Sequence, residues 1–245
     1  MLFSKFVTEC FEPGVLPTLK FAAREIYSLL LHKHLIPQFG GHRLCDISRV
    51  EVQQYLLNKL KQGFAWETTK HLRHLLSKVM GTAVNWEYIS NNPVRGVRMP
   101  ERTLKRPHRF LSAEEVQRLI ASSKEPTRTI IILATTTGLR IGEILALRWG
   151  RVDLLRRTLL VEETWYKGHF GTPKTRASRR EVPLAPAVVR ELKEHYLRST
   201  DHSPRGLVFA TPQGVPLAAD NLRKKSFPPS ENRANLRPLY KVRHS

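Results

Sequence analysis

Cysteine is nearly absent from this sequence. The chain has 245 residues and two cysteines, Cys10 and Cys45, with no Cys-x-x-Cys spacing. Such a chain does not rely on a disulfide framework, and we expect it in a reducing cytoplasm. Long apolar runs are absent too. No stretch approaches the ~20 residues that a membrane span needs, and the N-terminal segment has no apolar core of signal-peptide length.

Acidic residues are also scarce. The sequence has 21 Asp and Glu against 41 Lys and Arg, which gives a formal net charge of +20. A surplus of this size predicts a polyanionic partner, and we expect double-stranded DNA. An anionic membrane is the alternative, but no basic amphipathic helix stands out. We therefore expect no membrane and no small-molecule substrate among its partners.

Helical spacing of apolar residues dominates the first hundred residues. It predicts helices over residues 18–37, 48–60 and 66–86. The first should end before Pro37, because the residue that precedes a proline disfavours helical geometry. Ser48 and Glu51 have the spacing of a capping box. Residues 1–100 are thus expected to form an all-helical domain.

The third of these helices carries a polar face. Charged residues on a helix are most often simply solvated, but the net charge of the chain favours DNA contact by Thr68, Lys70 and Arg73. His71 and His74 have a spacing that a metal ion could use. No third ligand is near them and their neighbours are cationic, so we expect no metal and no cofactor.

A basic linker separates the two halves of the chain. Residues 94–109 contain two prolines, one glycine and six basic residues, so helix and sheet are both disfavoured. We place the linker itself at residues 101–109 and expect Lys105 and Arg106 to contact DNA. The linker would connect two domains that clamp duplex DNA from opposite sides.

The second domain is expected to span residues 110–245. Ser112 and Glu115 form another capping box, a strong helix start. Further along the chain, the pattern predicts strands over residues 158–163 and 180–184, a turn at residues 168–171, a loop over residues 173–179 and a helix over residues 186–198. The second domain is therefore expected to be mainly helical with a small antiparallel sheet.

Residues 135–150, TTTGLRIGEILALRWG, organise this second domain. Gly138 can end one helix with a positive φ, and apolar spacing through Trp149 predicts that another begins at once. Arg140 then lies at the N-terminus of the new helix, where backbone N–H groups and a guanidinium would together bind an anion. Glu143 is placed to orient the arginine.

The string from Thr137 to Trp149, followed by Val152-Asp153, resembles the first arginine box of the tyrosine recombinase (phage integrase) family. The first hundred residues resemble, more loosely, the family's all-helical, SAM-like core-binding domain. Residues 172–184, TPKTRASRREVPL, resemble its β-hairpin lysine motif. These resemblances imply Arg140 and Lys174 as catalytic groups. They also imply DNA contacts by Arg176, Arg179 and Arg180.

The resemblance implies a mechanism. Tyrosine recombinases cut DNA by attack of a tyrosine on a phosphodiester, which leaves a 3′-phosphotyrosine and a free 5′-hydroxyl. Two forked guanidinium groups suit the charge that develops on the non-bridging oxygens. Arg140 and Arg243 would take these roles, with Glu143 and His244 in support. Lys174 would protonate the leaving oxygen as general acid.

The C-terminal end departs from the family pattern. The chain stops at Ser245, inside the second arginine box, and the family's nucleophilic tyrosine would lie further on. Tyr240 precedes Arg243, which is the wrong order for a nucleophile. We therefore expect a truncated form that binds DNA without forming a covalent adduct, in the cytoplasm with the nucleoid. Self-association on DNA is expected from the tetramers of full-length relatives.

Two other functions remain open from the sequence. One is a non-catalytic DNA-binding protein on the same fold. The other is a transcriptional regulator in which residues 135–149 form a helix-turn-helix. That alternative leaves the motif around Lys174 unexplained.

Overall fold

A computed structural model of the chain describes residues 1–102, 110–172 and 179–234. The chain divides into two compact units, Met1–Arg106 and Pro107–Ser245. In its described part the first unit contains helices and no strand, and the second combines helices with small antiparallel sheets. The predicted fold class is thus confirmed.

The first unit begins with helical turns that the sequence pattern did not predict. Its helices are α1 (Phe3–Phe6), α2 (Glu12–Val15), α3 (Phe21–Leu30), α4 (Ile36–Phe39), α5 (Arg49–Lys61) and α6 (Trp66–Asn85). A π-helical turn over Val7–Phe11 joins α1 to α2. Phe3, Phe6 and Phe11 are fully buried. Burial of a phenylalanine side chain contributes about 1.5–3 kcal/mol, so these turns are held by packing rather than by helix propensity.

The predicted end of the first long helix before Pro37 is wrong. The chain passes from α3 through a π-helical turn over Leu31–Leu35 and continues in α4 to Phe39. Proline lacks an N–H, which costs a hydrogen bond in a helix interior but nothing in a first turn. The π turn resets the hydrogen-bond register, so Pro37 occupies the first turn of α4. The helical path therefore continues through Pro37 to Phe39.

Local side-chain chemistry sets the ends of α5. The predicted capping box is confirmed: the Glu51 N–H donates to Ser48 Oγ at 3.2 Å, and the Ser48 N–H donates to Glu51 Oε2 at 2.8 Å. Gly63, with φ +85°, follows the C-terminus of α5. The apolar stripe predicted for α6 is buried as expected. Its members are Leu72, Leu75, Leu76, Val79, Met80 and Ala83.

The beginning of the predicted linker belongs to the first unit. Gln53 holds Arg98 from both sides, since its Nε2 donates to the Arg98 carbonyl at 2.8 Å and its Oε1 accepts from the Arg98 N–H at 3.0 Å. Trp66 Nε1 donates to the Pro100 carbonyl at 2.9 Å. Arg102 pairs with Glu67 at 2.8 Å.

The core confirms this assignment. Val94 and Val97 are buried in the core of the first unit. Tertiary contacts thus hold residues 94–100 in place although their sequence disfavours both helix and sheet, and the linker assigned to residues 101–109 stays a prediction. Lys105 and Arg106, predicted to contact DNA, lie outside the described residues.

In the second unit the helices surround short strands. The helices are α7 (Ala113–Ser122), α8 (Thr127–Thr137), α9 (Ile141–Leu145), α10 (Pro186–Arg198), α11 (Ala219–Asn221) and α12 (Phe227–Arg233), and the strands are β1 (Val152–Asp153), β2 (Thr158–Val161), β3 (Thr164–Tyr166), β4 (His169–Gly171) and β5 (Arg180–Pro183). The capping box predicted at Ser112 and Glu115 is confirmed. In the described part of the chain, no helix is long and apolar enough to cross a membrane.

One small sheet has the order β1-β2-β5, with antiparallel pairs throughout. Thr158 pairs with Pro183 and Val161 with Arg180, which fixes the start of β5 beside the end of β2. The inward side of this sheet packs on α8 and α10. Leu159, Val161, Val182, Ile130, Leu133 and Leu192 are among the buried side chains of this core.

A separate hairpin, β3–β4, replaces the predicted turn at residues 168–171. The turn lies at Lys167 and Gly168, with φ +44° and +85°, and residues 169–171 form β4. Positive φ at both central residues is the geometry that matches the twist of the two strands. The prediction was wrong because the turn lacks the Asn-Gly or Asp-Gly pair that usually indicates this geometry.

Candidate nucleic-acid interface

Arg140 lies at the junction of two helices. α8 ends at Thr137, and Gly138 adopts the predicted left-handed conformation with φ +66°. The Gly138 N–H closes the helix by donating to the Ala134 carbonyl at 3.1 Å. Arg140 then precedes α9 in an extended conformation, and 69% of its side chain is exposed. Its guanidinium is therefore accessible to a ligand.

Glu143 is the buried counterpart of Arg140, with only 3% of its side chain exposed. Its Oε2 accepts from the Arg140 N–H at 3.0 Å, and its Oε1 accepts from Arg140 Nη1 at 3.0 Å. Arg180 Nη2 donates to Oε2 at 3.1 Å. Burial raises the pKa of Glu143, but the hydrogen bonds from Arg180 and Arg140 outweigh it and hold the pKa below its ordinary value.

The expected anion site at a helix N-terminus needs correction. α9 has five residues, because the helical turn stops at Leu145 and Trp149 lies in a separate 3-10 turn. A helix of one turn has little dipole to offer an anion. The guanidinium of Arg140, rather than the dipole of the helix, provides the positive charge at this position.

The same observation weighs against a helix-turn-helix regulator. A recognition helix presents several side chains to the major groove. In α9, Glu143, Ile144 and Leu145 are buried, which leaves no exposed face of that length. α9 therefore packs into the core with most of its length and does not present the face of a DNA-reading helix, although Arg140, just before it, is exposed.

Gly142 allows α9 to approach the β3–β4 hairpin closely. A Cβ on Gly142 would lie 2.6 Å from Thr164 Oγ1 and 3.0 Å from the Trp165 carbonyl oxygen. The first distance is shorter than a Cβ atom tolerates, and the second is tighter than most real Cβ contacts. The sequence motif gave this glycine no role, and the structure gives it one: Gly142 lets the hairpin pack directly against α9.

Arg179 and Arg180 have carboxylate partners. Arg179 pairs with Glu162, which also binds Arg151. Arg180 pairs with Glu143, and 31% of its side chain is exposed, against 68% for Arg179. Both arginines were predicted to contact DNA, and that prediction stands untested. The arrangement shows in addition that Arg180 takes part in the Arg140 site.

The sequence around these residues matches known proteins. The family model for the phage integrase family matches residues 109–243 of this chain, more than half of its length. The chain belongs to the phage integrase family. This membership confirms the resemblance predicted from the residues around Arg140.

The comparison with an individual relative agrees with this membership. A "Tyrosine recombinase XerC-like" protein of Caldanaerobacter subterraneus subsp. tengcongensis is 27% identical to this chain, over 84% of the chain and 60% of the relative. The chain therefore spans less than two thirds of that relative's length.

Solved structures of lambda integrase share the fold. The integrase (75-356) dimer bound to a COC′ core site matches with a TM-score of 0.76 and 18% identity, over 97% of this chain and 83% of that one. The tetramer bound to a Holliday junction matches with a TM-score of 0.75 and 18% identity, over 97% and 65%.

Part of the site expected for a phage integrase family member lies outside the described residues. Besides Lys105 and Arg106, this concerns four predicted residues, Lys174, Arg176, Arg243 and His244. Arg140 and Glu143, by contrast, are described and in contact. For Arg180, the family resemblance implied a DNA contact and no other role. No local pattern indicates its ion pair, because 37 residues separate it from Glu143.

The polar face predicted on α6 is half-buried rather than fully solvated. Lys70 Nζ lies 5.3 Å from the centre of the Trp66 ring. Lys70 and Arg73 are three residues apart and share a side of the helix, whereas Thr68, two residues before Lys70, faces another side. Among the described residues, no group of three or more His, Cys, Asp or Glu could hold a metal ion.

Proposed function

We propose that this chain provides DNA binding and recognition of the scissile phosphate for site-specific DNA recombination and integration by the tyrosine recombinase mechanism, in which strands are cut and rejoined through a 3′-phosphotyrosine. The observation that carries the proposal is the exposed guanidinium of Arg140 beside the buried carboxylate of Glu143. Such a pair presents forked donors in one orientation, which suits a phosphate that gains negative charge during the reaction. Family membership is consistent with this chemistry.

Each predicted group has a defined task in this proposal. Arg140 and Arg243 donate to the non-bridging oxygens of the scissile phosphate. Lys174 protonates the leaving 5′-oxygen as general acid. His244 supports the phosphate from the second arginine box, and Glu143 orients Arg140. Because the phosphotyrosine conserves the energy of the phosphodiester, the reaction needs no ATP.

Duplex DNA is the proposed partner. The net charge of +20 supplies the sequence-independent part of the affinity. In the first unit, Thr68, Lys70 and Arg73 are the proposed contacts on α6. The second unit contributes Arg179 and Arg180, with the predicted loop and linker residues. The chain would work in the cytoplasm, associated with the nucleoid.

Assembly of several copies on DNA is part of the same proposal. The lambda integrase structures that share this fold are named as a dimer bound to a core site and a tetramer bound to a Holliday junction. We propose that this chain also self-associates on its DNA site. Size measurement of the protein–DNA complex by analytical ultracentrifugation, over a range of protein concentrations, tests this.

The test of phosphate recognition uses the chain as it is. A duplex selected from a random pool is synthesised with a single neutral methylphosphonate at each backbone position in turn. One position should weaken binding about tenfold or more, as expected for a charge-assisted hydrogen bond. Arg140→Ala should remove the effect of that substitution and leave the others unchanged.

Arg156→Ala is the matched control. Its side chain is 85% exposed and lies near Asp153, in the same unit. Each methylphosphonate should weaken DNA binding by this variant as much as it weakens binding by the wild-type chain. If Arg140→Ala weakened all positions uniformly, Arg140 would be a general charge and not a phosphate-specific group. Sequence-selective binding without any such phosphate would support the non-catalytic DNA-binding alternative.

A further inference from the structure

Glu143 is shared between two arginines. Its two oxygens receive Nη1 and the backbone N–H of Arg140, each at 3.0 Å, and Nη2 of Arg180 at 3.1 Å. Arg180 Nη1 makes a longer bond to Oε1 at 3.5 Å. The carboxylate is buried, so neither guanidinium competes with bulk water for it. The charge of Glu143 is divided between Arg140 and Arg180.

Because Arg180 occupies part of the Glu143 carboxylate, the Arg140 guanidinium does not use all of its donors on it. Among contacts between described residues, its guanidinium uses only Nη1 on Glu143. A guanidinium that meets an unshared carboxylate prefers a bidentate geometry with two parallel hydrogen bonds. Loss of Arg180 would give Arg140 that opportunity, and the donors intended for a ligand would turn towards Glu143.

We propose that Arg180 is a positioning residue: by taking half of the Glu143 carboxylate, it keeps the guanidinium of Arg140 turned outward and free to bind a phosphate. The identity of the ligand, a DNA phosphate, rests on the proposed function, whereas the contacts among Arg140, Glu143 and Arg180 are independent of that function. Arg180 suits this task because its backbone is fixed at the first residue of β5, opposite Val161. Its guanidinium is thus anchored by a sheet, whereas Arg140 lies in an extended segment between helices.

A plain electrostatic explanation makes different predictions. If Arg180 only added positive charge, a lysine at position 180 would replace it fully, and its loss would weaken every nearby phosphate contact equally. Positioning requires a planar fork that bonds a carboxylate alongside a second guanidinium. A lysine is a point charge without that fork, so it should replace Arg180 only in part.

The first measurement needs no DNA. Phenylglyoxal modifies accessible guanidinium groups, and mass spectrometry gives the rate at Arg140, with Arg156 as an internal reference. Arg180→Met should slow modification of Arg140 about threefold or more, because its donors become occupied. Arg180→Lys should give an intermediate rate. Adding Glu143→Gln to Arg180→Met should restore the rate, because the competing charge is gone.

The second measurement uses the methylphosphonate series. In Arg180→Met, the phosphate that is sensitive in the wild-type chain should lose most of its roughly tenfold effect, while other positions keep theirs. The double variant with Glu143→Gln should regain it. Arg128→Met is the control, because Arg128 makes a comparable two-bond ion pair with Glu191 elsewhere in the same unit. It should change neither readout.

The outcomes separate the two ideas. An unchanged modification rate at Arg140 in folded Arg180→Met overturns the positioning role, whatever the DNA data show. A slowed rate without any Arg140-dependent phosphate in the wild-type series supports positioning and refutes the proposed function. Circular dichroism of each variant, compared with Arg128→Met, shows whether general loss of structure explains a change. If Arg180→Met does not fold, Arg180→Lys carries the test: a fully wild-type rate in it overturns the proposal.

Discussion

Gly142 and Thr164 lie so close that a Cβ on the glycine would come within 2.6 Å of the threonine hydroxyl oxygen. The contact joins α9 to the β3–β4 hairpin. We expect Gly142→Ala to lower the free energy of unfolding by about 1–3 kcal/mol, the usual cost of overpacking. Urea unfolding followed by circular dichroism measures this change.

Gly171→Ala is the matched control for that substitution. Gly171 lies on the same hairpin, and its Cβ would make only an ordinary contact, 3.8 Å from Thr164 Cγ2. Gly171→Ala should therefore lower the free energy of unfolding clearly less than Gly142→Ala does. Equal costs for the two variants would show that the close approach seen at Gly142 does not limit packing.

Glu143 gives the protein a defined acid sensitivity. Its pKa is lower in the folded chain than its ordinary value of 4.5, so folding favours the ionised form. The resulting stabilisation is present above about pH 4.5 and is lost as the pH falls through the folded-state pKa. Glu143→Gln should cost about 1–3 kcal/mol at neutral pH, and that difference should shrink below about pH 4.5.

Urea unfolding at a series of pH values from about 7 to about 3 tests this. The wild-type chain should lose stability more steeply than Glu143→Gln over the acidic part of the range. Parallel curves for the two proteins would mean that the ion pairs of Glu143 with Arg140 and Arg180 do not contribute to stability.

Gln53 should hold the end of the first unit in place. Its side chain makes two hydrogen bonds to the backbone of Arg98, at 2.8 and 3.0 Å. Gln53→Ala should lower the free energy of unfolding by about 0.5–1.5 kcal/mol for each of the two hydrogen bonds that it removes, because the Arg98 backbone is exposed and water can replace the lost partner. Limited trypsin digestion should then cut faster after Arg98. Gln54→Ala, at the exposed neighbouring position, should leave the cleavage rate unchanged.

Much of the fold could be predicted wherever local chemistry decides it. The helix starts at Ser48 and Ser112 depend on side chains three residues away, and the end at Gly138 depends on one residue's freedom to adopt a positive φ. These signals act within one helical turn, so the sequence contains all of the information. The helix through Pro37 was mispredicted because the π turn before it is stabilised by burial of Leu31 and Leu35.

In the candidate site, only the contact between residues close together in the sequence could be predicted. Arg140 and Glu143 are three residues apart, and their contact follows from helical spacing. Arg180 reaches Glu143 through the pairing of β2 with β5, and Gly142 matters because β3 packs behind it. Neither relationship leaves a periodic trace in the sequence. Tertiary contacts of this kind require the structure.

Lys70 provides the last test, that of electrostatic contact with duplex DNA. Each phosphate that a protein neutralises contributes a slope of about −0.9 to the logarithm of the binding constant against the logarithm of salt concentration. With several contacts in each unit, the wild-type slope should be steeper than about −3. Lys70→Ala should make it shallower by about 1 and weaken binding to all sequences alike. Lys33→Ala, at an exposed position on the turn between α3 and α4, should leave the slope unchanged. Equal effects of the two lysines would indicate general charge attraction and would remove α6 from the proposed DNA contacts.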